Sequence, residues 1–393
     1  MLAPRAIGTL CAMPNLARAH NIEDLRRLAR ARLPRSVFDF FDGGAEDETT
    51  LRGNRAAFER VRLLPRVLVD VHAVDTGAEL FGIRANLPMA IAPTGAIGAG
   101  RHDADLMIAR AARAAGIPYS LATPATNSIE EIAEQAGGRL WFQLYLLKNR
   151  EFRNRLVGRA KAAGYEALLV TVDLTTGGKR ERDLRNDFAA PFVPTWRNSR
   201  DVLFKTSWLA GMATRGVPQM KNLIGMLQKP PRLTDVAASV GRELDASFSW
   251  DDLKSLRDAW PRRLVLKGIV HPADAERAAA AGCDGIVVSN HGGRQLDGAI
   301  ATADALPAVA RAAGSKLTVL IDGGVRRGVD LLKARALGAH GVLTGRATLF
   351  GAMAGGEAGA TRAIEILAGE YQRAMMLCGV ARTADITADL LAP

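Results

Sequence analysis

Three stretches in the C-terminal half of the chain follow one pattern: GIVVSNHGGR at 285–294, LTVLIDGGVR at 317–326 and GVLTGR at 341–346. Each begins with a short apolar run and continues into a polar, glycine-rich turn. Apolar runs of this length are typical of parallel strands buried on both faces. The three stretches therefore predict buried parallel strands whose carboxyl ends carry polar groups.

The same alternation of apolar runs and Ala/Leu-rich amphipathic stretches extends back to about residue 87. Eight units favour a closed (β/α)8 TIM barrel over an open doubly wound sheet. No G-x-G-x-x-G fingerprint lies where a dinucleotide-binding fold requires it. The predicted strands are Leu87–Ala92, Tyr119–Ala122, Leu140–Leu144, Ala167–Val172, Leu264–Lys267, Gly285–Ser289, Leu317–Ile321 and Gly341–Thr344. The helical stretches include Asp103–Ala115, Ser128–Gln135, Ala273–Ala281 and Gly328–Leu337.

Residues 1–86 form an N-terminal extension that we expect to pack on the barrel of residues 87–393. Asn21 or Asn15 is expected to cap a helix in this extension, and Pro34 interrupts that helix.

A long segment, about 174–250, separates the fourth strand from its helix, and its middle is a basic amphipathic insertion at 191–233. The insertion has seven cations and one anion, and its charge of +6 is more than half of the net +11. The cations are Arg197, Arg200, Lys205, Arg215, Lys221, Lys229 and Arg232, the anion is Asp201, and Phe192, Trp196, Leu203, Phe204, Trp208, Leu209, Met212, Leu223, Ile224, Met226 and Leu227 are interleaved with them. This composition indicates a segment that lies at an anionic membrane surface. A lid or a subunit contact is the alternative, and a codon bias towards arginine is another source of the charge.

The cysteines, Cys11, Cys283 and Cys378, are few and far apart. No pair has metal-ligand spacing and no disulfide framework is implied, so we expect no metal site and a reducing, cytoplasmic compartment. No apolar run approaches the roughly 18 residues of a membrane span.

Polar residues and glycine- or proline-containing turns follow the predicted strands at the end of the barrel where such folds place their active sites. They are Pro93, Thr94 and Gly95 after strand one, Gln143 and Tyr145 in strand three, Thr171, Asp173 and Arg180 at strand four, Lys267 at strand five, Ser289, His291 and Arg294 at strand six, Asp322, Gly323, Gly324 and Arg326 at strand seven, and Gly345 and Arg346 at strand eight.

Two groups among these residues indicate specific chemistry. The glycines and arginines after strands seven and eight are typical of a phosphate site, where amides and a helix N-terminus meet an anion. His291 is placed for proton transfer, with Asp173 as the carboxylate that orients it. Arg180 and Arg294 suit a substrate carboxylate held by bidentate hydrogen bonds.

The chain resembles the FMN-dependent 2-hydroxy-acid oxidase and dehydrogenase family. The run from Ser289 to Asp297 matches the family signature, and the similarity extends from Leu33 and Pro34 almost to the C-terminus. The stretches 178–184 and 245–250 are most similar to membrane-associated mandelate and L-lactate dehydrogenases. The resemblance implies FMN as cofactor, a homotetramer and a small (S)-2-hydroxy acid as substrate.

The resemblance also implies roles for the residues at the strand ends. His291 would be the base with Asp173 as its partner, Arg180 and Arg294 would bind the substrate carboxylate, and Tyr145 would contact polar groups near C2. The flavin ring would touch Pro93, Thr94, Gly95, Gln143, Thr171, Lys267 and Ser289. The ribityl phosphate would be held by Asp322, Gly323, Gly324, Arg326, Gly345 and Arg346.

Three positions depart from the family pattern. Phe40 occupies the place of a substrate-binding tyrosine, Ala122 that of a flavin-contacting serine, and Pro124 that of a frequent tryptophan. The missing hydroxyl at Phe40 is expected to remove one hydrogen bond to the carboxylate, worth about 0.5–1.5 kcal/mol. Pro124 leaves room for a larger substrate side group.

We therefore expect a flavin-linked dehydrogenase at the inner face of the cell membrane that passes electrons to a quinone. An O₂-using oxidase of the same family and an FMN-dependent isomerase on a similar barrel are the enzymatic alternatives. A nucleic-acid-binding protein would explain the charge but not the residues at the strand ends, so nucleic acid is not an expected partner.

Overall fold

The computed structural model describes residues 15–186, 201–226 and 241–393. Eight parallel strands close into a barrel in the order β10-β3-β4-β5-β6-β7-β8-β9. Their bounds are β3 Met89–Ile91, β4 Tyr119–Ala122, β5 Leu140–Tyr145, β6 Ala167–Thr171, β7 Arg263–Ile269, β8 Gly285–Val288, β9 Thr318–Ile321 and β10 Gly341–Thr344. Each overlaps one predicted run, so the predicted (β/α)8 barrel is confirmed.

The helices surround this barrel, and the four stretches predicted as helices are helical to within a residue at either end. The bounds are α1 Ile22–Arg32, α2 Arg35–Asp42, α3 Thr49–Arg60, α4 Ala104–Ala114, α5 Ile129–Gln135, α6 Arg150–Ala162, α7 Glu181–Arg185, α8 Thr206–Arg215, α9 Trp250–Ala259, α10 Pro272–Ala280, α11 Thr302–Ala313, α12 Gly328–Ala336 and α13 Arg346–Leu377. Helix α13 is kinked at Gly355 and Gly356, where the backbone leaves helical geometry.

A hairpin that the sequence analysis did not predict closes the amino-terminal end of the barrel. It consists of β1, Ala78–Leu80, and β2, Ile83–Ala85. Phe81 lies in the turn of this hairpin and packs edge to face on Trp141 of β5, with ring centroids 5.4 Å apart. Both residues belong to the apolar cluster inside the barrel, so the hairpin packs on the amino-terminal end of that cluster.

On several strands, the residues that point into the barrel change from apolar to polar towards the carboxyl end. Val265 on β7 belongs to the interior cluster, and Lys267, two residues later, reaches the cavity at the carboxyl end. On β6 the same change occurs from Leu169, in the interior cluster, to Thr171, which lines the cavity. Because strand side chains alternate between faces, this pattern stacks a polar layer directly above an apolar floor.

The N-terminal extension begins as predicted. Asn21 caps α1 in a reciprocal capping box with Asp24, while Asn15 caps a separate short 3-10 turn. Pro34 lies between α1 and α2 and is the N-cap of α2. Helix α1 packs against α13 of the barrel.

The basic insertion is described only at residues 201–226, which contain α8. Seven residues of the predicted amphipathic pattern lie outside the described residues, namely Phe192, Trp196, Arg197, Arg200, Leu227, Lys229 and Arg232. In the described ranges no helix combines the length and apolar character needed to cross a bilayer.

Helix α3 is joined to the loop after β8 by a buried pair of amides. Asn54 and Asn290 exchange two hydrogen bonds, each 2.8 Å long, and Asn54 Oδ1 also accepts from the amide of Thr302. Asn54→Leu should lower the free energy of unfolding by about 1–3 kcal/mol, because it removes both hydrogen bonds to the buried Asn290 side chain and the one from the Thr302 amide. Urea denaturation measures this. Glu59→Ala on the same helix is the control, and equal stability of Asn54→Leu and wild type would contradict the role.

Candidate active site

The polar layer at the carboxyl end of the barrel is a connected set of buried side chains. Gln143 donates to Thr171 Oγ1 at 2.8 Å. Lys267 Nζ donates to Ser289 Oγ at 2.9 Å and lies 3.1 Å from a carboxylate oxygen of Asp322. Burial lowers the pKa of Lys267, but the charges of Asp322 and Asp173 more than offset this, so the pKa is raised and the ammonium stays charged.

Above this layer lies a cavity of about 390 Å³, a volume in the range of small-molecule sites. Asp322 Oδ1 and Thr344 Oγ1 are buried beside it and have no hydrogen-bond partner among the described residues. Buried polar atoms of this kind normally have partners, so a ligand with hydrogen-bonding groups fits here. Thr344 was not singled out from the sequence, although it directly precedes the predicted Gly345.

One end of the cavity is built from the turns after β9 and β10. Gly323 and Gly324 have positive φ angles of 86° and 89°, and a Cβ on Gly324 would overlap the backbone of Asn54. Gly345 is the N-cap of α13, whose first amides point to this end. The site has the features of an anion site, because amides, a helix N-terminus and the guanidinium of Arg326 meet there.

Arg346 is more strongly tied to the backbone than the sequence analysis anticipated. Its guanidinium donates to the carbonyl oxygens of Phe41, Gly292 and Gly43 at 2.8–3.0 Å. Three of its five N–H groups are thereby used, which leaves two for a ligand.

The structure brings His291 and Asp173 together. His291 Nδ1 lies 2.9 Å from Asp173 Oδ1, so the other ring nitrogen, Nε2, is left for the cavity that His291 lines. Burial raises the pKa of Asp173, but His291 and Lys267 bring it below its ordinary value and keep the carboxylate ionised.

The position of Asp173 depends on a glycine that the sequence analysis missed. Gly268 has φ of 116°, and a Cβ there would lie 2.6 Å from the Asp173 side chain. The backbone irregularity between β7 and β8 at this point therefore makes room for the carboxylate. A glycine directly after the strand-five lysine was the available signal.

Arg180 and Arg294 also reach the cavity. Arg180 Nε lies 2.9 Å from Asp183 Oδ2, and Arg294 Nη1 donates to the carbonyl oxygens of Phe40 and Gly43. Both guanidinium carbons lie 5.4–5.5 Å from the centre of the Phe40 ring. Asp183, a buried carboxylate beside two cations, was not predicted, because nothing in its spacing distinguishes it from a surface helix residue.

Tyr145 lines the same cavity, and burial raises the pKa of its hydroxyl. The hydroxyl therefore stays protonated and available as a donor. Its backbone N–H is held by Thr123 Oγ1 at 3.1 Å.

The remaining wall combines the turn after β3 with the insertion. Pro93, Thr94 and Gly95 line the cavity, as do Ala122 and Pro124. Six residues of the insertion do so as well, namely Val202, Trp208, Met212, Val217, Pro218 and Met220. The insertion is therefore part of the site and not only a surface segment.

Side-chain hydrogen bonds fix the described part of the insertion over the cavity. Trp208 Nε1 donates to the Ala99 carbonyl oxygen at 2.8 Å, and His102 Nε2 lies 2.7 Å from the Gly216 oxygen. Asn222 is fully buried and accepts from the amide of Ile129 at 3.0 Å. In the same described part of the insertion, Leu203 and Phe204 are exposed, at 67% and 76%.

Comparison with known proteins agrees with this geometry. The FMN-dependent dehydrogenase family matches residues 29–393. An L-lactate dehydrogenase of Caulobacter vibrioides is 43% identical over 94% of this chain and 96% of its own length. The (S)-mandelate dehydrogenase of Pseudomonas putida is 42% identical over 94% and 93%.

Solved structures give the same result. A crystal structure of the monotopic membrane protein (S)-mandelate dehydrogenase has a TM-score of 0.92 at 41% identity and covers 95% of this chain and 99% of its own. A mandelate oxidase has a TM-score of 0.80 at 39% identity, with 95% and 97% covered.

The turn after β3 generates a prediction about packing. A Cβ on Gly95 would lie 2.7 Å from Pro124 Cγ, so Gly95→Ala should overpack this wall and lower the free energy of unfolding by about 1–3 kcal/mol. Combining it with Pro124→Ala removes the clashing atom and should restore most of that loss. A double-mutant cycle in urea tests the coupling. Additive effects would show that the two residues do not oppose each other.

Proposed function

This chain belongs to the FMN-dependent dehydrogenase family, and we propose that it oxidises a small (S)-2-hydroxy acid, mandelate- or lactate-like, to the 2-oxo acid. The observation that carries this proposal is that a histidine–carboxylate pair and two arginines line one cavity. The relatives named L-lactate and (S)-mandelate dehydrogenase support the same substrate class.

The cofactor of this family is FMN, and the residues of the cavity suit it. Gly323, Gly324, Arg326, Gly345 and Arg346 would hold the phosphate through amides, a helix N-terminus and guanidiniums. Pro93, Thr94, Gly95, Gln143, Thr171, Lys267 and Ser289 would surround the ring. We reassign Asp322 from the phosphate to the ribityl hydroxyls, because a carboxylate repels a phosphate and its free oxygen can accept from a hydroxyl.

Bound FMN supplies the two-electron acceptor for the reaction. Lys267, buried and charged, would stabilise negative charge that develops beside it. Arg180 and Arg294 would bind the substrate carboxylate, and the Tyr145 hydroxyl would donate to a polar group near C2.

His291 would accept the proton that leaves the substrate. Because Nδ1 faces Asp173, the accepting atom is Nε2, and the ionised Asp173 stabilises the resulting imidazolium. One cavity would then contain the base, the FMN and an anion clamp that consists of Arg180 and Arg294.

The direct test is anaerobic mixing of the holoenzyme with a panel of 2-hydroxy acids. Bleaching of the flavin by at least one of them is expected, and failure of every member to bleach it would overturn the proposal. Reoxidation by a quinone analogue or by O₂ then distinguishes a dehydrogenase from an oxidase.

We propose a membrane quinone as the electron acceptor, and a peripheral location on the inner face of the cell membrane. The exposed Leu203 and Phe204 in the basic insertion support this, as does the monotopic membrane relative. We further propose a homotetramer, which light scattering of the purified holoenzyme tests.

The proposed base gives a clear prediction. His291→Gln should fold and retain FMN, because the phosphate-binding turns lie on other strands, while kcat falls by at least ~10²-fold. Stopped-flow flavin reduction measures this. His271→Gln, which lies at the N-cap of α10, is the matched control. Near-normal reduction of His291→Gln would refute its role as the base.

The membrane proposal gives another. The holoenzyme should co-sediment with phosphatidylglycerol vesicles at low salt and be partly released at high salt. Phe204→Ser should weaken the apparent affinity for the vesicles at least about tenfold, because a large apolar group no longer enters the interface. Leu377→Ser, at a side chain 70% exposed elsewhere, should not. Equal sedimentation of all three would exclude the insertion as the membrane contact.

A further inference from the structure

The C-terminal end of α2 in the N-terminal extension holds two arginines of the barrel. Arg294 Nη1 donates to the carbonyl oxygens of Phe40 and Gly43, both at 2.8 Å. Arg346 donates to those of Phe41 and Gly43 at 3.0 and 2.8 Å. The last carbonyls of a helix lack partners within it and carry partial negative charge. Helix α2 therefore orients guanidiniums that come from the turns after β8 and β10.

The Phe40 side chain adds a second contact of a different kind. Its ring lies 5.5 Å from the guanidinium carbon of Arg180 and 5.4 Å from that of Arg294, and both distances are within the range of cation–π attraction. The two guanidiniums come from different parts of the chain and repel each other. One aromatic ring attracts both.

The anion clamp of Arg180 and Arg294 and its surroundings carry more positive than negative charge. Burial, followed by the charges of Arg180 and Arg346, lowers the pKa of Arg294. Asp183 is the nearby carboxylate, and it lies 2.9 Å from Arg180 Nε without accepting a directed hydrogen bond at Oδ2. A bound anion would relieve this imbalance, which fits a carboxylate ligand.

We propose that Phe40 is a positioning residue for the substrate carboxylate, whose aromatic ring holds the guanidiniums of Arg180 and Arg294 together in the orientation that binds the anion. This inference rests on the proposed function. The family's tyrosine suggested that position 40 matters through a hydroxyl, which is absent here. The observed contacts instead give the ring itself the role, and a ring is retained by Phe, Tyr and Trp but not by Leu.

The test compares Phe40→Leu, Phe40→Tyr and wild-type holoenzyme. The probe is oxalate, a dicarboxylate without an oxidisable C–H bond, and its dissociation constant is read from the perturbed flavin absorbance and from the rise in Tm that it causes. Phe40→Leu should weaken oxalate binding about tenfold, as expected for loss of two partly buried cation–π contacts. Phe40→Tyr should bind oxalate at least as tightly as wild type.

With a 2-hydroxy acid as substrate, Phe40→Leu should raise KM by more than it lowers kcat, because carboxylate binding is lost before and during the reaction alike. Phe38→Leu is the matched control: Phe38 lies on the same helix, contacts Arg26 by a cation–π interaction at 5.5 Å, and is not among the described residues that line the cavity. It should lower Tm without changing the dissociation constant of oxalate.

The outcomes separate this inference from the proposed function. Unchanged oxalate binding in Phe40→Leu, or an equal loss in Phe38→Leu, would overturn the positioning role. If wild type binds oxalate but no hydroxy acid bleaches the flavin, the proposed oxidation fails while the oxalate series still decides the role of Phe40.

Discussion

Closure of the barrel is the constraint on which the site depends. Eight parallel strands in a closed ring bring all their carboxyl ends to one mouth, and the hairpin with Phe81 against Trp141 seals the opposite end. Polar side chains such as Lys267 can be buried at the mouth only because neighbouring strands supply partners at the same height. A buried cation without Asp322 would be strongly destabilising.

Two segments outside the barrel complete the site. Helix α2 directs carbonyl oxygens and the Phe40 ring at the strand-end arginines, and the insertion covers the cavity with Trp208 and Met212. The barrel thus provides most of the residues proposed for the reaction, while the two added segments line the cavity and contact Arg294. The insertion has one face on the cavity and exposed Phe204 outside it, so a single segment links the site to the surface proposed to meet the membrane.

Electrostatics inside the cavity divide into two regions. Around Lys267, one buried ammonium lies near two carboxylates, and the charges of Asp322 and Asp173 raise the pKa of Lys267. Around Arg180 and Arg294, positive charge dominates, and the ring of Phe40 compensates without adding a negative charge. The first region suits the proposed transfer of a proton and of electrons. The second suits the proposed anionic substrate, whose negative charge would offset the charge of the arginines.

The sequence by itself determined the barrel, since apolar runs of strand length at regular spacing have few ways to be buried. It also placed the residues proposed for the site at the strand ends, where parallel strands must converge. Tertiary structure alone decided which partners they have: the pairing of Lys267 with Asp322, the room that Gly268 leaves for Asp173, the three carbonyls on Arg346, and Asp183 beside Arg180. The closing hairpin and the inward face of the insertion also emerged only there. These contacts join residues distant in the chain through backbone geometry, and no periodicity in a single sequence records that geometry.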